Sequence, residues 1–134
     1  MSEVIATNQT ILVVGGGISG MTAALEAAEC GKQVILVEKN PSIGGRVSQL
    51  YKYFPKLCHP KCGLEINLRR IKGNRNLRVM AMTEVSNIDG EAGNYSVTLK
   101  TSPRNVNENC TNCGACADAV GTEFDDEYNY GLSK

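Results

Sequence analysis

The 134 residues supply about one domain's worth of chain, enough for a single hydrophobic core. Fourteen basic side chains balance fourteen acidic ones, and only 5% of residues are aromatic with no Trp. There is thus no electrostatic pull toward nucleic acid and little stacking surface for bases. The stretch from Met1 to Thr10 has no cationic region ahead of its apolar run, and no segment reaches the ~18 apolar residues of a membrane span, so a cytoplasmic chain is expected. A cytoplasmic chain keeps thiols reduced, so the six cysteines are read for metal, redox chemistry or packing before disulfides.

Ile11 to Val14 is a short, continuous apolar run that suits a buried parallel strand. Ile18 to Cys30 follows as a helix with Met21, Ala24, Leu25 and Ala28 on one apolar stripe, and Gly31 stops it. Val34 to Val37 reads as a second buried strand, so residues 11–38 make a βαβ unit with a right-handed crossover. Lys39 to Arg46 is a Pro/Gly turn, Val47 to Phe54 a short helix stopped by Pro55, and Lys56 to Pro60 irregular. Cys62 to Lys72 is a helix with Leu64, Leu68 and Ile71 on one side. Leu77 to Ile88 is strand-like, and Asp89-Gly90 and Gly93-Asn94 turn the chain into a second strand, Tyr95 to Lys100. From Pro103 onward periodicity is lost, three cysteines recur at fixed spacing, and the end is acidic and aromatic. Two domains are expected, 1–102 and 103–134.

Gly15-Gly16-Gly17-Ile18-Ser19-Gly20 matches G-x-G-x-x-G between a strand and a helix. Gly15 allows the tight turn, Gly17 leaves room for a pyrophosphate at the backbone, and Gly20 lets helix and strand pack closely. The N–H groups opening the helix, with its dipole, favour a diphosphate. Glu38 ends the second strand, where a carboxylate accepts ribose hydroxyls and repels a 2′-phosphate. A dinucleotide site follows from this combination.

Beyond Glu38 stands Pro41-Ser42-Ile43-Gly44-Gly45-Arg46. Here the chain resembles flavoproteins of the glutathione-reductase type, whose fingerprint extends past the acidic residue to a Gly-Gly doublet often followed by Arg or Lys. The resemblance implies FAD rather than NAD, and an α/β fold: a Rossmann-like FAD/NAD(P)-binding βαβ domain with a small β-hairpin or meander and an irregular Cys-rich C-terminal segment. It implies cofactor contacts at Gly15, Gly17, Ile18, Ser19, Gly20, Glu38, Lys39, Gly44, Gly45 and Arg46. The Glu84-Val85 dipeptide is similar to the place where backbone groups meet adenine, which adds Val85.

Residues 51–70 read YKYFPKLCHPKCGLEINLRR. Together with Gly44-Gly45-Arg46 this resembles the family formed by the A-type flavoprotein subunits of quinone-interacting membrane-bound oxidoreductases and heterodisulfide reductases, from Ile11 to about Cys116. The resemblance implies an FAD-containing, iron–sulfur-associated electron carrier working with other subunits of a redox complex, with Cys58 and Cys62 as cluster ligands. The residues alone leave three readings of that pair: iron ligation, a redox disulfide, or packing. Lys56 and Lys61 would lower the thiol pKa values if close. His59, the sole histidine, reads as an exposed loop residue, and Cys30 as a small core residue.

Cys110, Cys113 and Cys116 form C-x₂-C-x₂-C, the opening of a ferredoxin-type cluster run, with Gly114 permitting the bend. Val120 stands where the fourth cysteine of that run is expected. Three readings stay open: a three-iron cluster, a four-iron cluster borrowing a ligand from Cys58, Cys62 or another chain, or a defunct site. Zinc is a weaker alternative, since a closed site also wants four ligands.

In the resembling flavoproteins a later segment completes the FAD domain, so the chain reads as the N-terminal part of a longer protein or as a degenerate small relative, holding FAD weakly by itself. The function expected is FAD-dependent electron transfer between flavin and iron–sulfur centres, with any quinone contact on a membrane-bound partner. The rival is a non-catalytic nucleotide-binding fragment that docks onto partner subunits. A plain NAD-binding protein is disfavoured by Gly44-Gly45-Arg46.

Overall fold

A computed structural model describes residues 10–134. Of the stretch Met1 to Thr10, on which the expectation about a leader rests, all but Thr10 lies outside them. The chain divides after Pro103 into two compact units, each taken by itself below.

The first unit opens with β1 (Ile11–Val14), α1 (Ile18–Glu29) and β2 (Val34–Val37), followed by a single helical turn, α2 (Gly45–Ser48), and then α3 (Lys61–Gly73). β3 (Leu77–Met80) lies parallel to β2, which lies parallel to β1, so the sheet order is β1-β2-β3. Ile11 pairs with Val34 and Val34 with Leu77, so the three strands run level. β4 (Thr83–Glu91) and β5 (Asn94–Thr101) make a separate antiparallel hairpin with an irregularity between Val85 and Asn87.

The core lies where α1 and α3 cover the sheet. Met21, Ala24, Leu25 and Ala28 are fully buried, as their spacing on one helical face requires, and they meet Val34, Leu36, Leu64 and Leu77. Each large apolar side chain buried here contributes about 1.5–3 kcal/mol. Outside the core, Arg70 on α3 grips α1: its Nη2 lies 2.7 Å from Glu29 and 3.0 Å from Glu26, and its Nε donates to Glu29 at 2.9 Å. That guanidinium holds the Glu29 carboxyl below its ordinary range.

Several expectations change. The strand-like run 77–88 is two strands, because Met82 takes a left-handed backbone (φ 52°) and turns the chain out of the parallel sheet. The helix expected over Val47 to Phe54 shrinks to α2, and residues 53–58 instead form a closed turn in which Tyr53 pairs with Cys58. Gly90 belongs to β4, so the hairpin reverses at Ala92-Gly93 and not at Asp89-Gly90. Leu68 faces outward while Leu64 is buried and Ile71 half-buried, and Cys30 is exposed. β1 is an edge strand with Val14 63% exposed, although its sequence suits burial on both faces.

The second unit holds a short helix, α4 (Ala115–Val120), and a single 3-10 turn, Glu127–Asn129. Asp126 caps that turn, accepting the Tyr128 N–H at 3.0 Å and the Ser133 hydroxyl at 3.0 Å. Among the described residues no helix is long and apolar enough to cross a membrane.

Candidate functional site: the glycine corner and its carboxylate

The corner between β1 and α1 is built by contacts that only glycines permit. A Cβ on Gly20 would run into the Gly15 carbonyl oxygen, which is the close helix–strand approach expected of the third motif glycine. Gly15 has φ +102°, a region that side chains strongly disfavour. At Gly17, by contrast, a Cβ would meet nothing within 4 Å, so open space lies against the backbone that starts α1. No side chain caps α1 at Gly17, and the opening N–H groups of the twelve-residue helix present its positive end.

The middle glycine, which the motif treats as any residue, is the centre of the assembly. Its N–H donates to Glu38 Oε2 at 2.6 Å, and its carbonyl accepts the Gly44 N–H at 2.7 Å. A Cβ at Gly16 would lie 2.7 Å from Ile43 Cγ2 and 3.1 Å from Glu38 Cβ. Gly44 adopts φ +119° to reach back, and a Cβ on Gly45 would come within 3.0 Å of Gly17 Cα. The second glycine doublet is therefore docked on the first. Sequence reasoning missed Gly16; the available signal was a third consecutive glycine where the motif demands none.

Glu38 is 6% exposed, and each of its carboxylate oxygens accepts a backbone N–H. Besides Gly16, its carboxylate accepts the Asn40 N–H at 2.9 Å through Oε1. Its own N–H donates to the Met80 carbonyl, and its carbonyl accepts the Thr83 N–H, both at 2.9 Å. One residue thus ties the glycine corner, the 39–44 turn and the β3–β4 junction together. A carboxylate offers about four lone-pair sites, so two remain for hydroxyl donors. Space at Gly17, an uncapped helix start and an adjoining carboxylate fit the diphosphate and ribose of a dinucleotide.

The other candidates lie further out. Ile18, Ser19, Lys39 and Arg46 are exposed around the corner, and Val85 is half-buried in β4 opposite Leu99. Cys58 is half-buried and Cys62, in the first turn of α3, is exposed. Tyr53 connects them: its N–H donates to the Cys58 carbonyl at 3.3 Å, and its hydroxyl is pushed up in pKa, first by a hydrogen bond with the Cys58 thiol and further by the charges of both thiolates. Cys110, Cys113 and Cys116 are exposed in the second unit. The Asn112 N–H reaches Cys110 Sγ at 3.4 Å, and the Ala115 N–H, then the Thr111 hydroxyl, lower the Cys113 thiol pKa. Among the described residues, no three Cys, His, Asp or Glu side chains are gathered as a metal site.

Residues 10–73 match the sequence profile of the FAD dependent oxidoreductase family. The chain is 44% identical over 122 residues to the second iron–sulfur A subunit of CoB–CoM heterodisulfide reductase from Methanopyrus kandleri, covering 90% of this chain and 19% of the relative. It is 40% identical to the iron–sulfur A subunit of CoB–CoM heterodisulfide reductase from Methanocaldococcus jannaschii, covering 97% of this chain and 20% of the relative. The chain thus spans about a fifth of the length of these relatives. Among solved structures, L-proline dehydrogenase from P. horikoshii superposes with a TM-score of 0.60 at 20% identity, covering 75% of this chain and 20% of that one, a likeness of fold. With the glycine corner, the parallel sheet and these relatives together, the chain is similar to heterodisulfide reductase A subunits over nearly all of its own length and has the Rossmann-type fold of FAD-dependent oxidoreductases.

Proposed function

We propose that this chain is the FAD-binding, electron-transferring part of a heterodisulfide-reductase-like oxidoreductase complex. The observation that carries the reading is the corner in which Gly16 is locked by Glu38 and Gly44 while the space at Gly17 stays open to the start of α1. Bound FAD supplies the exchange of two electrons as a pair or singly. The opening N–H groups of α1 hold the diphosphate, with Gly15, Gly17, Ile18, Ser19 and Gly20 forming its cradle. Glu38 orients the adjoining ribose through its two remaining lone-pair sites and excludes a 2′-phosphate. Gly44, Gly45, Arg46 and Lys39 line the approach, and Val85 meets adenine through its backbone.

Cys110, Cys113 and Cys116 are the ligands of an iron–sulfur cluster in the second unit, where Val120 replaces the fourth cysteine, and Cys58 and Cys62 serve as cluster ligands in the first. The Ala115 N–H and the Thr111 hydroxyl at Cys113 favour the thiolate form that such a cluster needs. The nucleotide unit is 1–102 and the cysteine-rich unit 103–134. The partners are other subunits of a cytoplasmic redox complex, a membrane-bound one making any quinone contact.

Titration of the purified chain with FAD, ADP and NAD, followed by thermal shift, tests the nucleotide reading. Stabilisation by FAD and ADP ahead of NAD is expected, and stabilisation by NAD alone would refute it. A viologen-dye reductase assay of the FAD-loaded protein separates electron transfer from the second reading, a nucleotide-binding fragment that only docks. The missing fourth cysteine at Val120 favours that second reading.

A further inference from the structure

Between Glu38 and Glu65 the sequence contains no acidic residue, but it contains Lys39, Arg46, Lys52, Lys56 and Lys61. In the middle of this cationic stretch is the closed turn 53–58. It is held by the Tyr53 N–H on the Cys58 carbonyl at 3.3 Å and the Leu57 N–H on the Tyr53 carbonyl at 2.8 Å. Just outside it, Tyr51 stacks edge-on against His59 with ring centroids 4.7 Å apart, and Lys52 Nζ sits 5.2 Å from the Tyr51 ring centroid.

The turn is built, yet its apex is Phe54-Pro55-Lys56-Leu57, and its apolar side chains face water. Phe54 is 87% exposed, Leu57 65% and Tyr51 72%, with Leu50 exposed beside them. Single exposed apolar residues are ordinary, but several crowded onto one short turn mark an interaction surface. The company they keep identifies what they touch. Lysine is depleted in the contact cores of protein–protein interfaces. At a bilayer surface its stem lies among apolar groups while the ammonium meets anionic headgroups, and aromatic side chains favour that same depth.

We propose that the 50–57 turn is a monotopic membrane-contact site, inserting Phe54 and Leu57 into the headgroup region of an anionic bilayer while Lys52 and Lys56 pair with lipid phosphates. No spanning helix is needed, because contact is limited to the apex of one turn. The inference is independent of the nucleotide reading, since none of these side chains belongs to the glycine corner.

Co-sedimentation of the 134-residue chain with phosphatidylcholine vesicles, with and without about 30% phosphatidylglycerol, tests it. The chain is expected to pellet with the anionic vesicles, far less with the neutral ones, and to release as salt rises. Replacing both lysines (Lys52→Gln with Lys56→Gln) removes roughly fivefold in partitioning per lysine, about 25-fold together at low salt. Replacing the apex (Phe54→Ser with Leu57→Ser) abolishes pelleting, and an unchanged thermal midpoint shows that the exposed substitutions leave the fold intact. If the parent chain stays in the supernatant with anionic vesicles, or both double variants pellet as the parent does, the proposal is overturned and a protein covers this surface instead.

Discussion

Glu38 accepts the N–H of Gly16 at 2.6 Å, joining two positions 22 residues apart in the chain. With the Asn40 N–H on the other oxygen, a buried carboxylate is satisfied by backbone donors alone, and the glycine corner is held from the end of the neighbouring strand.

Glu38→Gln tests this directly. A glutamine has one acceptor oxygen, and its amide nitrogen would face a backbone N–H donor, leaving one buried donor unmatched at about 1–3 kcal/mol. At about 4–8 °C per kcal/mol for a unit of this size, the thermal midpoint should fall clearly, without any ligand present. A midpoint within the error of the parent value would show that the carboxylate does not organise the corner.

Two glycines of one motif should separate stability from binding. Gly20→Ala drives a methyl group into the Gly15 carbonyl and should destabilise by about 1–3 kcal/mol or more, read from a urea midpoint. Gly17→Ala places its methyl in open space, so stability should change by less than about 1 kcal/mol. Yet the methyl occupies the room proposed for the diphosphate, and FAD and ADP affinity should drop severalfold. Equal effects of both variants on stability would contradict the geometry.

The Arg70 fork gives a pH signature. Arg70 holds the Glu29 carboxyl below its ordinary value of 4.5, so the folded state binds a proton there less readily than the unfolded chain. The contribution is present above that ordinary value and is lost as pH falls through the lower, folded-state pKa. Arg70→Leu should therefore flatten the acid limb of a stability–pH curve measured by urea denaturation, modestly because the pair is solvent-exposed. Parallel curves for parent and variant below pH about 4.5 would mean that the fork contributes nothing to acid stability.

Val120→Cys restores the spacing of a four-cysteine run at the end of α4. Under anaerobic reconstitution the variant should bind more iron and sulfide per chain than the parent, and a Cys113→Ser variant less than either. Iron content indifferent to both changes would dissociate the 110–120 segment from any cluster.

The strand–helix–strand opening was legible because its signals are local. A four-residue apolar run, a helix whose Met21, Ala24, Leu25 and Ala28 share one face, and glycines at each corner carry their own periodicity. The Glu38–Gly16 bond was only half legible. The sequence places a carboxylate at the end of β2, but which donors fill it depends on how closely the 39–44 turn folds over the glycines.

The order of residues alone determined the βαβ unit, the glycine corner and the cysteine spacing, since backbone preference and side-chain period act over a few neighbours. Only the tertiary structure decided that residues 77–88 part at Met82 into a parallel and an antiparallel strand, that Leu68 faces outward, and that β1 lies at an edge. Those outcomes turn on which distant surfaces cover a given face, and an apolar side chain reads the same in sequence whether or not a neighbour arrives to bury it.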